Sequence, residues 1–418
     1  MKRIYLDHSA TTPVDKKILR AMLPYFGADF GNPSSIHTFG QKAAAAVDAA
    51  REQVAGFLNC NVDEVVFTSG ATESDNLAIR GVIAAAKKKG VQKPHIITSL
   101  IEHPAVLETC AEMEREGAEV TYLRVSPTGL VRTEDVKKAI KENTVLVTIM
   151  YVNSEVGSIQ PVREIGKIIH KINEARLNEW KKTKGKEPLS RPQEIYFHTD
   201  ATQAPNFLNC DVRWNYIDLL SFSGHKIYGP KGVGVLYART GVPLRAVQTG
   251  GHHENSRRSG TLNVPGIVGL GEAVKALKNK PDEGKDGRWT GTNRKIARLR
   301  DMLVKGLEKS LPGIVLNTDR KHATPAHAHF SFVGAEGESV LIALDLAGVA
   351  VSTGSACASG SLKPSHVLLA MGIKQEIAHH SIRFTLGKNT TEEEIKKVIR
   401  ILPPIIKKFR KMSPELKF

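Results

Sequence analysis

Short runs of β-branched and aromatic residues alternate with long helical patterns through the first half of the chain. The runs are EVVFTS, HIITSL, EVTYLRV, TVLVTIMYV, EIYFHTD and LLSFSG. The segments between them include EHPAVLETCAEMEREG and VREIGKIIHKINEAR. This alternation predicts an α/β fold in which crossover helices join the strands of a mostly parallel sheet.

The pattern changes from about Thr261 onward to long helices with a few separated strands, namely AHFSFV, VAVST and SIRFTL. Such a mixture is typical of a smaller α+β domain. With 418 residues, the chain exceeds the length of about 250 to 300 residues at which a single core stops growing, so we expect two domains. Two segments rich in charge, Gly or Pro, residues 177–193 and 280–293, are predicted surface loops.

Composition and cysteine spacing bound the class of protein. The chain has 41% hydrophobic and 24% charged residues, and it lacks an apolar run of the roughly 18 residues that a membrane span needs. The N-terminal MKRIYLDHSATTP has no apolar segment typical of a secretion signal. The four cysteines lie far apart without a CxxC pair, which suggests neither a disulfide framework nor a zinc site. We expect a cytoplasmic protein with reduced thiols, no resident metal and no membrane partner.

The formal net charge of +16 has two interpretations. The lysines concentrate in runs such as AAAKKKGVQK and KIARLRDMLVKGLEKS, which are typical of solvated helix faces. The alternative is a functional basic surface for nucleic acid or for an acidic protein partner.

Polar residues follow several of the predicted strands, and ligands of an α/β sheet bind at the carboxyl ends of its strands. The segment TSGATESDNLAIRG follows EVVF, and Ala71 and Thr72 stand there at the predicted opening of a helix. Free N–H groups and a hydroxyl at a helix N terminus form a site for phosphate. The alternative is an ordinary helix cap with Glu73 in the first turn.

A lysine and an aspartate follow two further strands. Asp200 and Gln203 lie in TDATQA, and Ser223, His225 and Lys226 lie in SFSGHKIYGPKG. Burial lowers the pKa of an amine, which suits a lysine at this place to Schiff-base chemistry. An aspartate at the end of a neighbouring strand can pair with a protonated pyridine nitrogen. Together with a phosphate cradle, these residues predict a site for pyridoxal 5′-phosphate (PLP).

Other candidate residues allow more than one interpretation. His103 follows HIITSL and either packs or caps a helix, or stacks on a cofactor ring and exchanges protons. Arg383 lies among apolar neighbours in SIRFTLG, where either a substrate carboxylate or a buried ion pair would satisfy it. Cys357 stands among small residues in STGSACASGS, which is typical of a flexible loop, whereas Cys110 lies in a helical pattern and is predicted to be structural.

Eight motifs follow one another in a familiar order: YLDHSATTPVD, FGNPSS, FTSGATESDNLAI, EHPAVLETC, DATQA, SFSGHKIYGPKGVG, RSGTLNV and TGSACASGSLKPSHVLLAMG. In order and spacing the chain resembles the cysteine desulfurases of the NifS/IscS type, which are PLP enzymes of the class V aminotransferase group. The resemblance implies PLP fold type I. A large PLP-binding domain, residues 15–260, would contain a mostly parallel seven-stranded sheet, and a small α+β domain, residues 1–14 and 261–418, would carry the catalytic-cysteine loop. It also implies a homodimer with active sites at the subunit interface.

The resemblance assigns a role to each matching position. Lys226 would be the Schiff-base lysine, Asp200 the partner of the pyridine nitrogen, and His103 the residue stacked on the ring. The other implied cofactor contacts are Gln203 at the phenolic oxygen, Ala71, Thr72, Ser223 and His225 at the phosphate, and Thr261 reaching that phosphate from the other subunit. Arg383, helped by the loop of Asn32, would bind the substrate carboxylate, and Cys357 would accept the sulfur.

One position departs from the family pattern. The family usually has two asparagines before the glutamate of YVNSEVGSIQP, and the second contacts cofactor and substrate; here Asn153 is followed by Ser154. A serine can donate one hydrogen bond but lacks the paired donor and acceptor of an amide. Either Ser154 replaces the asparagine through a water, or Asn153 is re-aimed toward the substrate.

The implied reaction converts L-cysteine to L-alanine and leaves the sulfur on Cys357 as a persulfide, for a sulfur-acceptor protein such as an iron–sulfur scaffold or a tRNA-thiolation carrier. A flexible thiolate is also suited to ligate a nascent iron–sulfur cluster transiently. One alternative is a selenocysteine lyase or another class V PLP enzyme, because a pocket barely distinguishes sulfur from selenium by size. The second alternative is a basic RNA- or scaffold-binding protein. The presence of Lys226, Asp200 and Cys357 argues against this alternative, and we do not expect a nucleic-acid partner.

Overall fold

The computed structural model describes residues 3–183, 192–277, 289–354 and 364–412. Its strands are β1 Ile4–Tyr5, β2 Val65–Thr68, β3 His95–Ser99, β4 Glu119–Leu123, β5 Thr144–Thr148, β6 Tyr196–Asp200, β7 Leu219–Ser223, β8 Gly234–Ala238, β9 Ile314–Leu316, β10 His327–Phe332, β11 Val349–Ala350 and β12 Ser381–Thr385. Its α-helices are α1 Lys16–Met22, α2 Thr38–Leu58, α3 Ala71–Lys88, α4 Pro104–Arg115, α5 Thr133–Ala139, α6 Val162–Thr183, α7 Val264–Ala276, α8 Gly291–Ser310, α9 Gly337–Leu346, α10 His366–Ala370, α11 Gln375–Ala378 and α12 Glu392–Met412.

A seven-stranded sheet forms the centre of the first two thirds of the chain. Its strand order is β2-β8-β7-β6-β5-β3-β4. Among the described strands of this sheet, β8 alone runs antiparallel to its two neighbours, and the remaining pairs are parallel. The residues of β5, β6 and β7 are all buried, as expected for strands that helices cover on both faces. The predicted α/β fold with a mostly parallel seven-stranded sheet is therefore confirmed.

Apolar helix faces cover both sides of this sheet. On one side α3 and α4 bury residues such as Ile83 and Val106. On the other side α2 and α7 bury residues such as Val54 and Leu270 against Phe222 of the sheet. Fully burying one such side chain contributes about 1.5 to 3 kcal/mol, so the two layers hold the strand ends at fixed positions.

The C-terminal part contains a three-stranded antiparallel sheet of order β12-β10-β9, with α8 and α12 packed together beside it. The N-terminal strand β1 pairs in parallel with β11, and Asp7 forms a bridge with Thr385. Residues 4–7 of the N-terminal segment therefore lie against the C-terminal part, while Ser9, Ala10 and Thr12 contact the residues that follow β7 of the large sheet. Domain boundaries near residues 15 and 260 stay a prediction.

The two predicted surface loops need correction. Residues 177–183 are the last turns of α6, because Leu, Glu and Lys in this stretch are good helix formers. Residues 291–293 already belong to α8, while 184–191 and 278–288 lie outside the described residues. The search for a helix long and apolar enough to cross a membrane finds none in the described parts of the chain.

Candidate active site

A cavity of about 610 Å³ lies where the carboxyl ends of the parallel strands meet. Parallel strands all end at one edge of a sheet, so the polar residues that follow them converge there. The predicted site residues that line it are Ala71, Thr72, His103, Ser154, Asp200, Gln203, Ser223, His225, Lys226 and Arg383.

The wall opposite Lys226 is the N-terminal segment of the chain. The Lys226 ammonium donates hydrogen bonds to the carbonyl oxygens of Ser9, at 2.5 Å, and Ala10, at 2.8 Å. The Gln203 amide also donates to the Ser9 carbonyl, at 2.9 Å. Ser9, Ala10 and Thr11 line the cavity, and they were not predicted because only the tertiary fold brings this segment beside Lys226.

Asp200 ends β6, and His103 follows β3, which is separated from β6 by β5 in the sheet. Asp200 is buried at the end of β6 and accepts a hydrogen bond from the Thr202 N–H group at 2.9 Å. His103 caps α4: its Nδ1 accepts from the Ala105 N–H group at 3.1 Å, which places the proton of the neutral ring on Nε2. Burial lowers the pKa of His103, although the charge of Asp200 opposes this. His103 therefore caps α4 and also lines the cavity, so its two predicted roles do not exclude each other.

The N terminus of α3 forms a corner of the cavity with donors available for an anion. Helix α3 has 18 residues, its N-cap Gly70 has no side-chain capping bond, and Ala71 and Thr72 line the cavity. The buried hydroxyl of Ser223 has no hydrogen-bond partner among the described residues. Burial, with help from two nearby lysines, lowers the pKa of His225 to about 4. A helix N terminus and an unpaired hydroxyl fit the phosphate group of PLP.

The acidic residue in the first turn of α3, Glu73, also lines the cavity, but its carboxylate has partners of its own. The Glu73 carboxylate accepts from the Ser69 N–H group at 2.7 Å and pairs with Arg258 at 2.7 Å. These contacts stabilise the loop before the helix and use one of the two arginines in RRSGTLNV. The described hydrogen bonds of the Glu73 carboxylate therefore go to Ser69 and Arg258 and not to the first N–H groups of α3.

Both interpretations of Arg383 find support in the geometry. Arg383 is 4% exposed and forms an ion pair with Asp7 at 2.8 Å. It also donates to the carbonyl oxygen of Ser154 at 3.0 Å, while its Nε has no partner among the described residues. The buried ion pair is present, and Arg383 still lines the cavity with a donor to spare.

The prediction that Asn153 contacts the substrate is corrected. The Asn153 amide donates to the carbonyl oxygen of Ile101 at 3.0 Å and accepts from the N–H groups of Glu155 and Val156 at 2.9 and 3.0 Å. The side chain is buried in this turn and is absent from the described lining of the cavity. Ser154 lines the cavity, so the first of the two alternatives fits the geometry.

A buried carboxyl that the sequence analysis missed also lines the cavity. Asp75 is 1% exposed, and neither of its carboxyl oxygens has a hydrogen bond among the described residues. Burial raises its pKa well above the ordinary value, and the charge of Asp200 raises it further. The nearest titratable contact is Nε2 of the buried His198, at 3.6 Å. The sequence contains one signal for Asp75, which is its spacing. Asp75 follows Ala71 by one helical turn, so both residues lie on the same face of α3.

Two predicted residues lie elsewhere, and a third is not among the described residues. Asn32 and Thr261 are exposed and do not occur among the described residues that line this chain's cavity; the Asn32 side chain accepts from the Ser34 N–H group at 2.9 Å. Cys357 lies outside the described residues. Cys110 is fully buried in α4, which confirms that it is structural.

Known proteins resemble the chain over nearly its full length. The family model for aminotransferase class-V matches residues 4–178 and 186–398. The chain is 46% identical over 416 residues to cysteine desulfurase IscS of Clostridium botulinum, covering 99% of this chain and 96% of that protein. It is 45% identical over 413 residues to cysteine desulfurase IscS of Methanosarcina thermophila, covering 99% and 94%.

Solved structures agree with these relatives. One is a NifS-like protein with a TM-score of 0.82 and 35% identity, covering 99% of this chain and all of that one. Another is SspA in complex with cysteine, with a TM-score of 0.75 and 35% identity, covering 93% of this chain and 100% of that one. The chain therefore belongs to the class-V aminotransferase family and, within it, to the cysteine desulfurases of the NifS/IscS type.

Proposed function

We propose that this protein converts L-cysteine to L-alanine with PLP as cofactor and transfers the sulfur to Cys357 as a persulfide. The observation that carries this proposal is the convergence of Lys226, Asp200 and His103 on one cavity, at the strand ends beside an anion corner. An amine, a carboxylate and a neutral imidazole are the groups that PLP chemistry requires from a protein. The family relationship supports the same activity.

The cavity contains candidate residues for each part of the cofactor. The N terminus of α3 with Ser223 and His225 would hold the phosphate, Asp200 the pyridine nitrogen, and Gln203 the phenolic oxygen, with His103 against the ring. When bound, PLP supplies an electron sink that stabilises negative charge on the substrate Cα.

The protein's own groups bind the substrate and move its protons. Arg383 would bind the substrate carboxylate through donors that now contact Asp7 and Ser154. Lys226 removes the Cα proton, and the backbone carbonyls of Ser9 and Ala10 orient its nitrogen at the cavity wall. His103 is kept neutral by burial, so it holds one proton on Nε2 without adding a positive charge beside Lys226.

The sulfur step leaves atoms and electrons in balance. The Cys357 thiolate attacks the sulfur of the substrate, a new S–S bond forms, and the bond from Cβ to sulfur breaks. The electron pair of that bond stays on carbon, which takes up a proton and leaves as the methyl group of alanine. Carbon is reduced and the two sulfurs are oxidised to a persulfide, so no external oxidant or reductant is needed.

Product analysis with purified protein tests this function. We expect L-cysteine and a reducing thiol to give alanine and sulfide, and we expect Cys357→Ala to abolish sulfide release while the cofactor absorbance remains. The matched control is Cys60→Ala, because burial raises the pKa of the half-buried Cys60 thiol to about 12 and leaves it unreactive. Pyruvate or another keto acid in place of alanine would contradict the proposal.

A homodimer is part of the proposal, and an exposed apolar patch supports it. The patch consists of large apolar side chains between residues 19 and 39, namely Leu19, Leu23, Phe26, Phe30, Ile36 and Phe39. Ile36 is 92% exposed in the single chain. Large exposed apolar side chains concentrated in one segment are typical of a protein interface. Asn32 belongs to the same segment, so a second subunit on this patch would also cover it.

The destination of the sulfur and the compartment complete the proposal. We propose that the persulfide passes to an acceptor protein such as an iron–sulfur scaffold or a tRNA-thiolation carrier. The described cysteines Cys60, Cys110 and Cys210 are free thiols. Free thiols are typical of the reducing cytoplasm, where we expect the protein to act.

A further inference from the structure

The buried side chain of Glu155 contacts Ser365, which is the N-cap residue of helix α10. The Ser365 hydroxyl donates a hydrogen bond to Oε2 of Glu155 at 2.5 Å. The same hydroxyl accepts from the Leu368 N–H group at 3.2 Å and so caps α10. Glu155 and Ser365 are both buried, at 5% and 4% exposure. One carboxyl oxygen therefore contacts Ser365, the second described residue after the segment that contains Cys357.

The same carboxyl oxygen touches the other end of that segment. A Cβ added to Gly354 would lie 2.4 Å from Oε2 of Glu155, 3.2 Å from Nε2 of His329 and 3.2 Å from Cβ of Ser365. Real Cβ atoms do not approach an oxygen this closely, so the Glu155 carboxyl packs directly on the backbone of Gly354. Gly354 is the last described residue before Cys357 in the chain. Both ends of the Cys357 segment therefore meet at one oxygen atom.

Glu155 also adjoins the candidate binding site for the substrate carboxylate. The preceding residue, Ser154, lines the cavity, and its carbonyl oxygen accepts from Arg383. The backbones of Ser352 and Arg383 exchange hydrogen bonds at 2.7 and 3.3 Å. The start of the Cys357 segment, the substrate arginine and Glu155 thus belong to one continuous set of contacts.

We propose that Glu155 is a positioning residue for sulfur transfer, which holds Gly354 and Ser365 together and thereby sets the reach of the Cys357 thiol. The inference rests on the proposed function, since it concerns the step in which Cys357 acts. Glu155 forms no ion pair among the described residues, and a buried carboxyl is costly without one. An apolar side chain would pack between the two loop ends at a lower cost, but it could not accept from the Ser365 hydroxyl.

The surroundings of Glu155 are compatible with a carboxyl that accepts from Ser365. Burial raises the pKa of Glu155 to about 7, while the Ser365 hydroxyl and the charge of Arg383 on β12 oppose that rise. His329 on β10 faces the same point, and burial lowers its pKa to about 3, so it is neutral. Arg383 is therefore the charged group that faces Glu155 from the described elements packed against it.

Rapid-mixing kinetics with the PLP-loaded enzyme and L-cysteine test the inference. One readout is the change in cofactor absorbance, which reports substrate binding and proton removal and does not need Cys357. The other is the extra sulfur on Cys357, measured by mass spectrometry after rapid alkylation. We expect Glu155→Ala to slow persulfide formation about tenfold or more and to change the absorbance step by less than about twofold.

Two further variants and one control complete the test. Glu155→Gln should restore most of the persulfide rate, because an amide oxygen can still accept from Ser365, and Ser365→Ala should have an intermediate rate. The control is Thr391→Ala. The Thr391 hydroxyl caps α12 by accepting from the Glu394 N–H group, as Ser365 caps α10, but it lies far from Glu155 in sequence. This variant should leave both steps unchanged. A persulfide rate unaltered in Glu155→Ala, or both steps slowed equally, overturns the inference. Wild-type enzyme with a normal absorbance step and no persulfide on Cys357 overturns the proposed function itself.

Discussion

At the scale of single residues, Asp75 is the carboxyl whose behaviour depends most on its surroundings. Its raised pKa means that, above the ordinary aspartate pKa of 3.8, the folded protein keeps a proton that the unfolded chain releases. For such a group the stabilising contribution is complete below the unfolded pKa and is lost as the pH rises through the folded pKa. The loss amounts to about 1.4 kcal/mol for each pH unit in that window.

Asp75→Asn should therefore remove part of the pH dependence of stability. We expect the melting temperature of the variant to rise relative to wild type as the pH increases above the ordinary aspartate pKa of 3.8, because asparagine does not ionise. Thermal unfolding at several pH values measures this difference. Asp48→Asn, at an exposed position on α2, is the matched control and should show a constant difference. A constant difference for Asp75→Asn as well would mean that Asp75 is ionised in the folded protein.

Some of the site residues could be predicted from the sequence, and others could not. Asp200 and Ser223 are the last residues of β6 and β7, Lys226 comes soon after β7, and the end of a parallel strand fixes where these side chains lie. Asn153 also follows a strand, but a local turn uses its amide, and the sequence does not reveal which of two adjacent residues a turn directs inward. The partners of Arg383, Asp7 and Ser154, are far away in the chain and depend on the tertiary fold.

At the scale of elements, the N-terminal segment is attached to the large sheet by Thr12. The Thr12 hydroxyl donates to the carbonyl oxygen of His225 at 2.8 Å and accepts from the Tyr228 N–H group at 2.8 Å. Thr12 is 3% exposed, so both contacts lie away from water. They flank Lys226 on either side and connect the cavity wall to the strand end that carries the lysine.

Replacing Thr12 by valine should loosen this attachment at nearly constant volume. We expect Thr12→Val to lower the free energy of unfolding by about 1 to 3 kcal/mol, because the buried Tyr228 N–H group loses its acceptor. Denaturant unfolding measures the change. Thr290→Val, at the exposed residue before α8, where the side chain makes no capping bond, is the control and should change stability by less than about 0.5 kcal/mol. An equally small effect of Thr12→Val would contradict the role given to this hydroxyl.

The elements of the large sheet were largely predictable because buried parallel strands are short apolar runs bounded by polar residues. The six predicted runs correspond to β2 through β7. Strand β8 was not predicted: its residues GVLYA follow a stretch of Gly, Pro and Lys that resembles a loop. Its antiparallel direction also has no local signal, since direction depends on how the preceding turn returns the chain to the sheet.

At the scale of the whole molecule, the apolar patch of residues 19–39 is the feature that a single chain explains least. Ile36 gains little from being apolar when it is 92% exposed, whereas it would be buried if a second subunit covered the patch. The proposed homodimer accounts for this exposure and for the exposed position of Asn32.

A charge in the patch should therefore separate the subunits. We expect Ile36→Glu to shift the protein from dimer to monomer in sedimentation velocity, because an unpaired charge in an apolar interface is costly. Leu346→Glu is the matched control, since Leu346 is 83% exposed at the end of α9, outside the patch, and should leave the dimer intact. A dimer that survives Ile36→Glu would exclude the patch as the interface.

The central claim is that substrate sulfur moves to Cys357, and a single turnover with sulfur-labelled L-cysteine tests it most directly. The PLP-loaded enzyme is mixed with less than one equivalent of substrate, without a reducing thiol or an acceptor, and alanine and labelled peptides are quantified. We predict equal amounts of alanine and of label on the peptide that contains Cys357. Alanine formed with the label released as free sulfide, or carried by Cys60, Cys110 or Cys210, would contradict the account.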